Sequence, residues 1–140
     1  MRLWHKDLIK YLPSQQLRGQ WRKLHLIAKQ IAEKGTPNHI LVNPIMKYPS
    51  EHFYAYCWLV YHEMLLRGYS ASMDKLTEDL KDCNVNFNNY IYRKDIFKDW
   101  HNDRYLNQCL MNLQEKYDRG GIKDEEWRKI YFRYFQPKVS

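Results

Sequence analysis

Positive charge gathers at one end of this sequence and is laid out in a line. Residues 1 to 35 carry eight Lys/Arg against two acids, whereas residues 36 to 140 carry fifteen against fourteen. Arg18, Arg22, His25 and Lys29 follow one another at intervals of four, three and four. On an α-helix that spacing puts three fixed cations and a titratable imidazole on one face. A straight row of this kind can follow a phosphate backbone, but a solvated helix face would carry the same charges, and spacing alone does not choose between them.

The chain start offers a second resource. Arg2 is bulky, and enzymes that trim initiator methionine generally need a small second residue, so Met1 is expected to keep its amine. An α-amino group titrates at about 7.7 to 8.0 against about 10.4 for lysine, so a tenth or more of it is neutral and nucleophilic at pH 7. Arg2, together with Lys23 if the helix passes the terminus, would lower that value further. Such an amine can attack a carbonyl or a sugar C1′ and form an imine. Other chemistries find little support. Gly120-Gly121 is not followed by the lysine and hydroxyl of a phosphate loop, and His62-Glu63 lacks a second histidine four residues after the first. No CxxC or Cys/His zinc spacing is present, so no metal or cofactor is expected.

These residues need helices to hold them. Pro13 and Ser14 predict the start of a helix over 15 to 33, with the serine hydroxyl as cap and Gly35 and Pro37 as the stop. Leu17, Trp21, Leu24, Ala28 and Ile31 form its apolar seam. Residues 35 to 48 read as a loop with His39 to Val42 extended. Pro49 and Ser50 open a second helix to Arg67, closed by Gly68. It is apolar or aromatic on most sides from Phe53 to Leu66 and belongs inside a bundle, with Tyr56, Tyr61 and His62 as core-edge groups. Ser72 caps a short helix from Met73 to Lys81, with Met73, Leu76 and Leu80 inward. Residues 83 to 102, rich in asparagine and aromatics, read as an ordered irregular segment, a kind that usually has a job. Asp103 is expected to cap a helix to Arg119, and a last helix runs from Asp124 to Tyr134 with Trp127, Tyr131 and Tyr134 on one face. The expected fold is all-α, a single compact helical domain over 1–140 with long ordered loops and no significant sheet. Cys57, Cys83 and Cys109 are odd in number and far apart, which suits free thiols in the cytosol. No apolar run is long enough for a signal peptide or a membrane span, so a cytoplasmic protein is expected.

The pattern Leu12-x-x-Gln15-x-Leu17-x-x-x-Trp21-Arg22-x-Leu24 resembles the first helix of the pyrimidine-dimer DNA glycosylase family, the phage endonuclease V type. Leu66-Arg67-Gly68-Tyr69, Leu113-Gln114-Glu115-Lys116 and the aromatic tail from Trp127 to Tyr134 extend the resemblance in order along the chain. It implies a compact helical monomer, with no metal, that binds damaged duplex DNA, kinks it and flips out a nucleotide. The N-terminal amine then attacks C1′, releases the base and cleaves the strand by β-elimination, which is AP-lyase chemistry.

By position, Met1 falls at the family's nucleophile and Arg2 and Arg22 at DNA-contacting basic residues. Gln15 and Trp21 match the helix framework. Trp127, Arg128, Lys129 and Tyr131 fall where an opened duplex would be held, beside the row of Arg18, His25 and Lys29. The catalytic glutamate of the family is Lys23 here, a nearby histidine is Gln16, and a further basic residue is Leu26. Lys23 is thus at once a departure and a rival nucleophile. The expectation is a DNA-repair protein on double-stranded DNA, damaged or abasic, associated with the nucleoid when bound. Two alternatives stay open: a non-catalytic nucleic-acid-binding module, and a helical domain whose basic row meets an acidic protein.

Overall fold

The computed structural model describes residues 2–83 and 85–136. The fold is all-α, without a strand among the described residues. Helix α1 spans Ser14–Lys34 and ends at Gly35, whose φ of 77° lets its N–H reach back to the Ile31 carbonyl. Its seam of Leu17, Trp21, Leu24 and Ala28 is buried, joined by Ile27 and, unexpectedly, by Gln20. Helix α2, Ser50–Leu66, buries Phe53, Tyr56, Cys57, Val60 and Met64, and Gly68 closes it at φ 81°. It packs on α1 and on a 3-10 helix at Lys6–Tyr11. Helix α3, Asp74–Leu80, lies along α1 with Leu76 and Leu80 buried. Helix α4 is Asp103–Asp118, and α5, Asp124–Ile130, runs into a π-helical turn at Tyr131–Phe135. One apolar cluster draws on all of these helices.

Several ends differ from the sequence expectation because partners far along the chain take part. The first N–H of α1 is capped by Glu126 of α5, whose Oε2 accepts it at 2.7 Å; the Ser14 hydroxyl instead bonds that of Tyr69 at 2.8 Å. Asn102 rather than Asp103 caps α4, its Oδ1 accepting the Tyr105 N–H at 2.9 Å. Residues 39–42 form turns in place of an extended stretch, with the His39 carbonyl accepting from Val42 and Asn43, and a 3-10 helix follows at Asn43–Lys47. The final helix leaves α geometry at Tyr131 because the Gln136 N–H reaches the Tyr131 carbonyl five residues back.

The irregular segment turns inward at Phe97, a buried residue held at φ 51° by an N–H bond to His52 Nδ1 and by rings on several sides. That turn delivers His101 to the N-terminal segment. The His101 Nδ1 accepts the Lys6 N–H at 3.0 Å, its carbonyl lies 2.9 Å from His5 Nε2, and the two imidazoles stack at 5.1 Å. Lys6, also buried, gives its ammonium to the carbonyls of Lys94 and Ile96. Because Nδ1 is an acceptor, the His101 ring proton sits on Nε2, a buried atom with no hydrogen-bond partner among the described residues.

Burial pushes His101 down to about 2, helped by the charges of His5 and Lys6, and it lowers His5 as well, against the pull of Asp7. The His101 ring is therefore neutral in the fold, while the unfolded chain takes up its proton below about pH 6.5. Stability is unaffected above that pH and falls below it, by about 1.4 kcal/mol per pH unit for a ring that stays neutral. Urea unfolding at pH 7 and pH 5 is expected to show a loss of about 2 kcal/mol from His101 alone, and His101→Gln should flatten the dependence.

Candidate nucleic-acid interface

Residues 2–5 lie against the helices as a strap with no regular structure of their own. Three side chains hold its carbonyls in succession. Gln20 Nε2 donates to Arg2 at 3.2 Å, the Tyr105 hydroxyl donates to Leu3, and the Tyr56 hydroxyl donates to Trp4 at 2.6 Å. Gln20 also turns its Oε1 to the Trp4 N–H at 2.8 Å, with Tyr56 Oη 3.2 Å from the same oxygen. Gln20 is 1% exposed and Tyr56 fully buried, so the bonds at Trp4 are shielded from water. Burial raises both phenols, Tyr56 far above the ordinary range, and keeps them protonated as donors.

Position 23 follows Gln20 by three residues, so it is the next side chain along that face of α1. Lys23 is exposed, but partial shielding lowers its pKa, and the charges of Lys116 on α4 and of Arg22 add to the effect. One turn before Gln20, the Oε1 of Gln16 is buried without a hydrogen-bond partner among the described residues. Gln16, Gln20 and Lys23 thus form a polar stripe beside the strap. Arg2 is half-buried, with its guanidinium carbon 5.9 Å from the Trp4 ring and its charge acting on Tyr105 and Cys109. Met1 lies outside the described residues.

The basic row occupies a different, exposed face of α1, roughly opposite Gln20 by helical spacing. Arg18, Arg22 and Lys29 are exposed. Arg18 stands over the Tyr69 ring at 5.1 Å, and a Cβ placed on Gly19 would lie 3.7 Å from an Arg22 guanidinium nitrogen. His25 belongs to the row by position but not by charge: it packs edge-on against Trp21 at 4.7 Å, and burial lowers its pKa despite Asp79, so it is neutral at pH 7. From the tail, Lys129 reaches the row. A groove of about 500 Å³ between the start of α1 and α5 is lined by Gln15, Gln16, Arg18, Lys123 and Lys129 together with Glu125 and Glu126. Arg128 and Tyr131 are exposed on the same tail. Trp127 is a core residue instead, stacked on Tyr117 at 4.9 Å and tilted against Phe135.

Gln20, Tyr105 and His101 were not singled out by sequence, and Tyr56 was read only as a core-edge group. A signal existed for Gln20, three residues after Leu17 and four before Leu24, as a carboxamide within an apolar seam. Nothing local marks Tyr105 or His101, whose partners are about a hundred positions away. No group of three or more His, Cys, Asp or Glu able to hold a metal ion occurs among the described residues.

Compared with known proteins, residues 1–77 match the sequence model of the pyrimidine dimer DNA glycosylase family. No curated protein and no solved structure matches the chain.

A row of exposed cations has a measurable signature. If Arg2, Arg18, Arg22 and Lys29 neutralise about four phosphates, log K for duplex DNA should fall against log salt with a slope near −3.6. Arg22→Ala should weaken binding to many sequences alike and make that slope shallower by about one. Fluorescence anisotropy across a salt series reads both.

Proposed function

Because the chain belongs to the pyrimidine dimer DNA glycosylase family, we propose that it binds damaged or abasic duplex DNA along the exposed face of α1 and reacts with the sugar through the amine of Met1. It does so as a monomer, without a metal, in the cytoplasm. The observation that carries this reading is the three-point hold on the strap, which fixes the backbone from Arg2 onward against α1, the helix that carries the row of cations. A residue joined to Arg2 by one peptide bond then starts from a fixed point, as a nucleophile must if it is to meet a carbon held by phosphate contacts.

On an abasic site the amine lone pair attacks the C1′ aldehyde, the carbinolamine loses water, and a protonated imine results. The imine acidifies the C2′ hydrogen. Loss of that proton to a base in solution and departure of the 3′ phosphate then break the strand, and hydrolysis of the imine returns the amine. Releasing an intact base is harder, since positive charge builds on the sugar and needs a carboxylate nearby. Position 23 supplies an ammonium instead. Glu126 does not replace the carboxylate, because it is bound at Ser14, nine residues and about 14 Å back along the helix axis. The activity proposed is therefore AP lyase, with glycosylase action on dimers weak.

Lys23 is the rival nucleophile, as its lowered pKa allows. Borohydride should trap a covalent adduct between the protein and an abasic duplex. Acetylation of the N-terminus should abolish it, and Lys23→Ala should leave it. Lys23→Glu should raise dimer cleavage about tenfold or more. An adduct that survives acetylation and vanishes in Lys23→Ala would move the chemistry to Lys23, and no adduct in any form would leave a DNA-binding module without catalysis.

A further inference from the structure

Between α2 and residues 87–96 lies a groove of about 510 Å³ that the chemistry above does not use. Its walls are aromatic. Tyr54 meets Phe87 edge to face at 4.9 Å and Trp58 at 6.2 Å, while Tyr90 stands edge-on to Tyr92 at 4.9 Å. Trp58 is 43% exposed and Tyr90 75% exposed, so flat faces are left open to solvent. Apolar surface gathered in this way marks a place where something binds.

The remaining groups narrow what that is. No carboxylate lines the groove; its one fixed charge is Arg93, followed in sequence by Lys94, and no acid occurs from Val85 to Lys94. Asn88 and Asn89 contribute carboxamides, each with donors and an acceptor on one planar group. Open rings, amide edges and an exposed Arg93, whose Nε lies 4.0 Å from Asp7 at the other side, match unpaired nucleobases on a phosphate backbone. A second copy of this chain fits less well, because each copy carries a formal charge of +7. The groove is linked to α1 through Tyr61, which contacts both Trp58 and Trp21.

We propose that this groove is a binding site for single-stranded DNA, whose bases stack on Trp58, Phe87 and Tyr90 while Arg93 and Lys94 meet its phosphates. The site is distinct from the row on α1 and independent of the chemistry at Met1. Anisotropy with a labelled thymidine oligomer of about twelve nucleotides, against a duplex of the same length, tests it. Tyr90→Ala, at a largely exposed position, should weaken oligomer binding about tenfold and leave duplex binding within about twofold; Trp58→Ala should do the same. Arg22→Ala should show the opposite pattern. Oligomer binding unchanged in both aromatic variants would overturn the proposal, as would equal losses on the two DNAs. A dimer seen by sedimentation that Tyr90→Ala dissolves would also overturn it, by assigning the groove to self-association. Failure of borohydride trapping would leave this result untouched.

Discussion

The buried carboxamide of Gln20 is the contact on which the N-terminal architecture rests. A segment that enters a helical core without joining a helix or sheet must still satisfy its N–H and C=O groups. Here side chains do the work that a neighbouring strand would do. Gln20 takes the carbonyl of Arg2 and the N–H of Trp4, Tyr105 the carbonyl of Leu3, Tyr56 that of Trp4, and His101 the N–H of Lys6. Each group left unpaired in such a place costs about 1 to 3 kcal/mol. The same bonds tie α1, α2 and α4 to the strap, so the start of the chain and the middle of the bundle are one structural unit.

From that unit the functional reading follows by proximity along α1. The strap meets the helix at Gln20, position 23 is the next side chain on that face, and Arg18 and Arg22 are exposed on the far side of the same helix. In the proposed reading, a sugar held by its phosphates on this helix meets an ammonium at position 23 and no carboxylate. An aldehyde carbon is electrophilic without assistance, whereas a glycosidic carbon is not.

The helices were legible because their signals are local. The four-three seam of α1, the all-round apolar character of α2 and the closing glycines at 35 and 68 need no information beyond a few neighbouring residues. Caps and charges were less so, because they depend on groups brought from afar. Glu126 replaced the Ser14 hydroxyl from 112 residues away, and burial against Trp21 removed the charge of His25 from a row where spacing had counted it. Trp127, which the resemblance places among the DNA contacts, is 7% exposed within the core. The aromatic groove could not be seen in the sequence at all, as its walls come from α2 and from a segment some thirty residues later whose Asn86 N–H is anchored on Glu51.

The central claim is that the side-chain hold on the strap positions the reacting amine. Gln20→Met keeps the volume of the side chain and removes both of its bonds to the strap. With folding confirmed by circular dichroism and duplex affinity measured alongside, the rate of borohydride-trapped adduct formation on an abasic duplex should fall about tenfold or more while affinity stays within about twofold. An unchanged trapping rate in a folded Gln20→Met protein would contradict the account.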